Sequence, residues 1–277
     1  TEALKFWVQK YNIDGYRCDI ASFVPIDFWE NVRMELDAIK PVFMLAEAED
    51  KDLHRKAFDA TYNWSLWNIL HHIATNNLSA KTLTEAYLAE HVSIFPKAGI
   101  RMNFIDNHDK NSWEGTPTAN FGEALNAATV FTILMDGIPM IYNGQEAGLD
   151  RPLAFFEKDP IVWQWHENLT LYTTLFALKH KSQALWNGEH GGEIVRIMND
   201  RMDQVVSFVR EKNGDKVIAI INLSKDPVIV QLDTCFDDGL YTNLFSNEQV
   251  SVSETFIVSM APWDFLVLHN SELELSE

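Results

Sequence analysis

Cysteine, basic residues and long apolar runs are all scarce in this 277-residue sequence, and each shortage excludes a class of protein. There are only two cysteines, Cys18 and Cys235, in different regions, so neither a disulfide framework nor a cysteine-based zinc site is expected. No apolar stretch approaches the roughly 20 residues that span a bilayer. Even the run over residues 131–142 is interrupted by Asp136 and Pro139. We therefore expect no membrane-spanning helix.

The shortage of positive charge constrains the partners. Lysine and arginine total 22 against 40 acidic residues, which gives a formal net charge of −18. Such a field repels phosphate backbones and anionic lipid head groups, so nucleic acid and membrane surfaces are not expected partners and a neutral substrate is favoured. Apolar residues, in contrast, are abundant: 47% of the chain is hydrophobic, which is enough for a large core in one or two domains.

The first part of the chain alternates short β-rich runs with helical stretches, a pattern typical of βαβ units and a parallel sheet. The apolar runs predict strands at residues 14–19, 42–47, 58–62, 101–106 and 138–142. Apolar residues at helical spacing predict helices at residues 25–39, 64–73, 83–94, 121–135 and 169–181. After residue 188 short alternating strands follow, with a hairpin at Lys-Asn-Gly-Asp, residues 212–215. We predict an α/β unit over residues 1–188 and an all-β antiparallel domain over residues 189–277.

Charged side chains cluster where three of the predicted strands end. They are Arg17 and Asp19 in GYRCDIAS, Glu47 and Glu49 in PVFMLAEAED, and His108 and Asp109 in RMNFIDNHDKNSW. An isolated Arg-x-Asp is more often a structural ion pair, and a single histidine is more often structural than catalytic. In parallel α/β folds, however, ligands bind at the carboxyl ends of the strands. Three such clusters at strand ends of one predicted sheet therefore favour a functional site.

These motifs resemble those of the α-amylase family of glycoside hydrolases. GYRCDIAS is similar to the Gly-Phe-Arg-x-Asp motif of the family's fourth barrel strand, MLAEAE to its fifth-strand glutamate motif, and FIDNHD to its seventh-strand Asn-His-Asp motif. AFDATYNW, GIPMIYNGQE and APWDFLVL resemble the sixth strand, the eighth strand and the last strand of the carboxyl-terminal β-domain. The resemblance implies the second half of a (β/α)8 TIM barrel followed by an all-β antiparallel sandwich domain.

The resemblance also implies roles for five residues. They are Asp19 as the nucleophile, Glu47 as the general acid/base, Asp109 as the carboxylate that stabilises the transition state, and Arg17 and His108 as substrate-binding residues. Retaining hydrolysis of a glycoside needs two carboxyl groups about 5–5.5 Å apart, and we expect Asp19 and Glu47 to face each other from adjacent strands.

Two assignments remain open at this point. Glu49 is a rival for the acid/base role, although Glu47 is preferred because it follows a small residue and closes the apolar run, as the family's glutamate does. Trp29, Trp64 and Trp113 are candidates for stacking on sugar rings, although most of the nine tryptophans are expected to be core residues.

The implied substrate is an α-1,4-linked starch-like glucan or a maltooligosaccharide. A cyclomaltodextrinase, an oligo-α-glucosidase or a transglycosylase would use the same residues, and fold and carboxylates do not distinguish among them. The alternative from a different class is a noncatalytic or inactive amylase-like binding or scaffold module. A polymeric starch substrate would favour an extracellular or periplasmic location.

The chain departs from the family pattern in two respects. Many members have Lys-His three and four residues after the nucleophile, near a structural calcium site, whereas this chain has Ser22 and Phe23. A structural calcium is therefore left open but is not supported by that route, and we expect no metal ligand among the site residues and no cofactor for the chemistry. The family's barrel also begins with three further strands, so we expect the missing amino-terminal half, or another copy of the chain, to cover the open strand edges.

Overall fold

The computed structural model describes residues 1–233 and 239–271, apart from the side chains of residues 90–92, so that Cys235 lies outside the described residues. The α-helices are α1 (Glu2–Tyr11), α2 (Ile26–Asp37), α3 (Trp64–Ala74), α4 (Ala80–Thr82), α5 (Pro117–Phe121), α6 (Leu125–Leu134) and α7 (Glu167–Lys181). The first nine strands are β1 (Gly15–Cys18), β2 (Phe43–Ala46), β3 (Ala60–Tyr62), β4 (Ile100–Phe104), β5 (Ile138–Met140), β6 (Ile194–Arg196), β7 (Met198–Asn199), β8 (Val205–Lys212) and β9 (Asp215–Asn222). The remaining strands are β10 (Val228–Asp233), β11 (Gly239–Asn243), β12 (Gln249–Val252), β13 (Thr255–Met260) and β14 (Phe265–His269).

The first five strands form one parallel sheet in the order β1-β2-β3-β4-β5. Each predicted strand of the first unit is thus present, and neighbours along the chain are neighbours in the sheet. Because all five strands run in the same direction, their carboxyl ends meet at a single edge. The partial barrel expected from the sequence is confirmed, and this edge is where its ligand site should lie.

Helix α2 illustrates how the strands are covered. Its residues Trp29, Val32 and Leu36 recur at helical spacing and are all buried. They pack in one cluster with Met44 and Ala46 of β2, so the buried face of α2 lies against this part of the sheet. Such packing of an apolar helix face against a parallel strand is the repeated unit of a β/α fold.

Three helical segments differ from expectation. The helix predicted at residues 83–94 is a π-helix over Leu83–His91 followed by a 3-10 turn over Val92–Ile94. The helix predicted at residues 121–135 is α6, which begins at Leu125 after a 3-10 turn over Gly122–Ala124; Gly122, with a φ of 52°, interrupts the helical backbone between α5 and this turn. Helix α1 has no counterpart among the predicted helices, and Val8 is its sole buried residue.

The second unit is antiparallel, with one sheet ordered β12-β11-β14-β9-β8-β6 and another ordered β13-β10-β7. The predicted hairpin is confirmed: β8 and β9 are joined by Asn213 and Gly214, which have φ values of 53° and 89°. Positive φ at both positions is the requirement of the tight type I′ hairpin turn. The antiparallel strands begin at Ile194, and the division at residues 188/189 stays a prediction.

A shared core joins the two units. Strands β8 and β9 contribute to the same buried cluster as α6 and α7, and the rings of Phe131 and Phe208 are 5.8 Å apart. The buried Arg210 donates from Nε to the carbonyl of Gly192 at 2.9 Å and from Nη2 to that of Trp186 at 2.7 Å. This cationic side chain thereby fixes the start of the second unit to the end of the first. Within the described ranges, no helix has the length and apolarity to cross a membrane.

Candidate active site

Two predicted catalytic carboxylates share one arginine at the carboxyl ends of β1 and β2. Arg17 Nη1 donates to Asp19 Oδ1 at 2.6 Å, and Arg17 Nη2 lies 3.2 Å from Glu47 Oε2. Register explains this proximity: Cys18 pairs with Ala46, so the next residue on each strand is one of the two acids. The structure therefore brings three sequence-predicted site residues, Arg17, Asp19 and Glu47, into one group.

The two carboxylates differ in exposure. The side chain of Asp19 is 73% exposed, whereas that of Glu47 is 14% exposed. Glu47 Oε2 also accepts the backbone N–H of Ile20 at 2.8 Å. An open carboxylate beside a sheltered one at the same edge is suited to two different tasks, direct attack and controlled proton transfer.

The donor to Glu47 lies in a strained turn. Ile20 has φ 40° and ψ 48°, the left-handed region that β-branched residues rarely occupy. This conformation costs roughly 1–2 kcal/mol, and strain of this kind is concentrated at functional sites. The turn points the Ile20 N–H at Glu47, which is a role that motif reading did not reveal because no glycine or asparagine marks the position.

Tyr62, at the end of β3, holds Arg17 from the other side. Its hydroxyl accepts from Arg17 Nε at 3.2 Å, and the guanidinium lies 5.7 Å from the centre of the ring. Burial alone would lower the pKa of Arg17, but the hydrogen bonds with Tyr62 and Asp19 and the charge of Glu47 raise it above its ordinary value. The cation between the carboxylates is therefore permanent. Sequence analysis placed Tyr62 in the sixth-strand motif without a role.

Glu49, the rival to Glu47, has a different environment. Its Oε1 accepts from Nη2 of the buried Arg101, and its Oε2 accepts the backbone N–H of Ser65 at 2.8 Å. Arg101 Nη2 also donates to Asn63 Oδ1 at 3.0 Å. Both oxygens of Glu49 are thus used to join β4 to the start of α3. This is the setting of a structural ion pair, and it favours Glu47 for the acid/base role.

The third predicted carboxylate, Asp109, follows β4. Asn107 Oδ1 accepts the backbone N–H groups of Asp109 at 3.0 Å and of Lys110 at 2.8 Å, which fixes the turn that presents Asp109. His108 Nε2 lies 3.5 Å from Asp109 Oδ2, and both side chains are partly exposed. His108 and Asp109 therefore form a second group at the same sheet edge, separated from β2 by β3.

Asp106 stabilises the same turn through hydrogen bonds. It is buried, and its carboxylate accepts the Asn107 backbone N–H at 2.9 Å and Asn111 Nδ2 at 3.0 Å. Burial raises the pKa of Asp106 to about 7, against the lowering effect of these two hydrogen bonds. The pKa of Tyr142, just beyond β5, is raised by burial first and then by the charges of Asp106 and Asp109. The ends of β4 and β5 are therefore electrostatically linked.

The three candidate stacking tryptophans have different locations. Trp29 is a core residue whose indole N–H donates to the Ala21 carbonyl at 2.9 Å. Trp64 is partly buried, with its ring 5.2 Å from that of Tyr62. Trp113 is exposed near the end of β4. Of the three, only Trp113 presents a largely open ring to a ligand.

A cavity of about 520 Å³ lies between the segment after β1 and the segment after β2. Ser22, Phe23, Asp50 and Asp52 are among its lining residues. Ser22 and Phe23 stand at the positions of the Lys-His pair named above. Across residues 1–233 and 239–271, no group of three or more His, Cys, Asp or Glu is arranged to hold a metal ion.

A parallel β/α sheet with carboxylates at its carboxyl edge, joined to an antiparallel β unit, is the arrangement of the second half of a β/α barrel followed by a β domain. The family model described as the alpha amylase catalytic domain matches residues 1–183. The model described as the bacterial alpha amylase C-terminal domain matches residues 197–259. Because the first match covers more than half of the chain, the chain belongs to the α-amylase family.

Individual relatives agree with this membership. Alpha-amylase 2 of Dictyoglomus thermophilum is 26% identical, with 88% of this chain and 45% of that protein aligned. Maltogenic alpha-amylase of Bacillus acidopullulyticus is also 26% identical, with 96% of this chain and 47% of that protein aligned. The crystal structure of a maltogenic alpha-amylase from Thermotoga neapolitana superposes with a TM-score of 0.83 at 25% identity, covering 98% of this chain and 64% of that one. The chain thus spans about half the length of the curated relatives it matches.

Proposed function

We propose that this chain carries the catalytic carboxylates of a retaining hydrolase that cleaves α-1,4-glucosidic bonds in starch-like glucans or maltooligosaccharides. The observation that carries the proposal is the placement of Arg17 between Asp19 and Glu47, each of which directly follows one of two paired strands. A single guanidinium that contacts both carboxylates keeps them close, as a retaining mechanism requires. The names of the α-amylase relatives support the substrate class.

The first half of the reaction uses the two acids in opposite roles. Asp19 attacks the anomeric carbon while Glu47 gives its proton to the glycosidic oxygen, so that the carbon–oxygen bond breaks and the leaving sugar departs as an alcohol. The product is a glycosyl ester on Asp19. The 73% exposure of the Asp19 side chain is consistent with attack on a bound sugar, and Arg17 is placed to stabilise the carboxylate before attack and after release.

The second half reverses the roles. Glu47 takes a proton from water, the water oxygen attacks the anomeric carbon, and the ester bond breaks to regenerate Asp19 as a carboxylate. The Ile20 N–H bond at 2.8 Å holds Glu47 in position through both steps. In this proposal Asp109 and His108 hydrogen-bond sugar hydroxyls, contacts that strengthen as the ring flattens toward the oxocarbenium-like transition state.

The direct test is the release of reducing ends from soluble starch by this chain and by its Asp19→Asn variant, alongside any longer natural protein that contains the chain. The longer protein is included because a closed barrel has eight strands and the parallel sheet has five. Activity that disappears in Asp19→Asn supports the proposal. Absence of activity from both proteins would instead favour a noncatalytic amylase-like module.

A further inference from the structure

A buried lysine directly follows the third predicted carboxylate in the sequence. The side chain of Lys110 is 8% exposed, whereas that of Asp109 is 35% exposed. Lysine is almost never buried unless its ammonium group has partners, because removing the charge from water is costly. The proposed mechanism does not use Lys110, so its contacts are the guide to what it does.

The ammonium group of Lys110 is held by two kinds of contact. Its Nζ lies 3.7 Å from the centre of the Trp67 ring and 5.6 Å from that of Trp64, both in α3. Nζ also donates to Glu114 Oε2 at 2.6 Å, at the other end of the π-helix Lys110–Glu114. A cation over an indole face is attracted by the electrons of the ring, and the attraction increases when water is excluded. The side chain is therefore fixed both to α3 and to its own segment.

Trp67, the closer of the two indoles, is itself anchored. It is buried, and its indole N–H donates to the carbonyl of Ile105 at 2.8 Å. Its ring stacks on that of His71, with 5.0 Å between the centres, and packs edge-on against Phe121 at 5.6 Å. Because Ile105 directly follows β4, Trp67 joins α3 to the strand end that precedes Asp109. Lys110 is therefore bound to a fixed point beside that strand end.

The backbone of Lys110 is fixed as well. Asn107 Oδ1 accepts the N–H groups of both Asp109 and Lys110, and the Asn107 carbonyl accepts the N–H of Asn111 at 2.9 Å. Adjacent Cα atoms are about 3.8 Å apart, so a shift of Lys110 is passed directly to Asp109. With its backbone in the turn and its ammonium group on α3, Lys110 determines where the turn lies relative to the helix.

We propose that Lys110 is a positioning residue for Asp109: its ammonium group, held by Trp67 and Glu114, sets the orientation of the Asp109 carboxylate for the transition state. This inference rests on the proposed function and adds to it a residue that does not contact the sugar. The contacts of Asp109 strengthen as the sugar ring flattens, and a misplacement of about 1 Å can cost about 100-fold in rate. Lys110 therefore affects the rate of bond breaking more than the binding of substrate.

The chain offers a closely matched control for this lysine. Lys110→Met is the informative variant, because methionine keeps an unbranched apolar side chain and removes the charge. Lys110→Arg is the conservative variant, since a guanidinium also stacks on aromatic rings and pairs with carboxylates. The control is Lys216→Met in β9. Lys216 is 7% exposed and lies 3.2 Å from a carboxylate oxygen of Glu211, which is 52% exposed; Lys110 and Glu114 are 8% and 51% exposed.

Steady-state kinetics on maltoheptaose give the first readout, with whichever of this chain and a longer natural protein hydrolyses starch. We expect Lys110→Met to lower kcat about 10- to 100-fold while KM changes by less than about threefold. Lys110→Arg should recover part of the lost kcat, and Lys216→Met should keep the kcat of the parent even where its melting temperature falls as far as that of Lys110→Met. A normal kcat in Lys110→Met, a change in KM alone, no recovery in Lys110→Arg, or an equal loss of kcat in Lys216→Met would each overturn the inference.

Amide hydrogen exchange gives a second readout that does not need activity. The N–H groups of Asp109 and Lys110 are bonded to Asn107, so they should exchange slowly in the parent. In Lys110→Met we expect exchange over residues 107–112 to be about tenfold faster, with the β8–β9 hairpin unchanged, whereas Lys216→Met should leave residues 107–112 protected. Unchanged exchange in Lys110→Met would overturn the inference. If no protein hydrolyses starch, the proposed function fails, and exchange alone decides whether Lys110 holds the turn of Asp109.

Discussion

Glu47 and Glu49, which are two residues apart in the second motif, should differ in the property that their substitution impairs, and Glu49→Ala is the informative change. The carboxylate of Glu49 pairs with Arg101, whose side chain is only 9% exposed. Its removal leaves a buried cation without its counter-ion and leaves the Ser65 N–H without its acceptor. Breaking a buried pair in this way typically costs about 3–5 kcal/mol.

Because Arg101 keeps other contacts, we expect the loss of unfolding free energy to lie at the lower end of this range. Its Nη2 keeps Asn63 Oδ1 at 3.0 Å and the Tyr62 carbonyl at 3.3 Å, and its guanidinium stays 3.8 Å from the centre of the Phe95 ring. We expect Glu49→Ala to reduce the free energy of unfolding by about 3 kcal/mol, which corresponds to a fall in melting temperature on the order of 5–10 °C. Urea unfolding measures the first quantity and calorimetry the second.

Glu47→Ala is the matched control. Arg17 keeps Asp19 and Tyr62, so the expected loss of unfolding free energy is only about 1 kcal/mol, while the loss of starch hydrolysis should be about 100-fold or more. Replacing both Glu49 and Arg101, as Glu49→Ala with Arg101→Met, should recover much of the lost stability because no unpaired charge remains. A Glu49→Ala protein as stable as the parent, or one that folds normally but is inactive, would refute this assignment of the two acids.

Two further predictions concern strain and pH. Ile20→Asn should raise the melting temperature, with a gain of roughly 0.5–1 kcal/mol in the free energy of unfolding, because asparagine tolerates the left-handed backbone at φ 40°. The control Ile20→Val should give no increase. A destabilised Ile20→Asn protein would show that the turn is not strained. Asp106 has a folded pKa of about 7, above its unfolded value, so its stabilising contribution is complete below about pH 4 and is lost as the pH rises through 7. As the pH is lowered from 7.5 to 4.5, the free energy of unfolding measured in urea should therefore rise by a few kcal/mol in the parent relative to the Asp106→Asn variant. A difference between the two proteins that does not change with pH would contradict a buried carboxyl group with a raised pKa.

The strands could be predicted because each is a short apolar run that stops at polar residues. Sheet order followed from the same signal, since sequential βαβ units place each strand beside the previous one. Within this frame Asp19 and Glu47 could be expected to face each other from their positions one residue beyond paired strands. The hairpin at Asn213 and Gly214 could also be predicted from local sequence, because these two residues alone determine the type of turn.

What could not be predicted depends on contacts between residues distant in the sequence or on unusual backbone. The partner of Glu49 is Arg101, 52 positions away, and nothing in the second motif identifies it. The contact between His108 and Phe155 likewise joins two separate loops. Ile20 adopts a conformation that its own side chain disfavours, so local propensity gives the wrong expectation there. The π-helix at Leu83–His91 is read from sequence as an ordinary helix because its apolar spacing is similar.

The role of Asp19 as the nucleophile is tested most directly by trapping the covalent intermediate. A fluorinated maltosyl substrate with a good leaving group would be reacted with the protein, and the modified peptide would be identified by mass spectrometry. The account predicts one glycosyl group attached to the carboxylate of Asp19, and no adduct in the Asp19→Asn variant. An adduct on another side chain, or hydrolysis with inversion at the anomeric carbon, would contradict it.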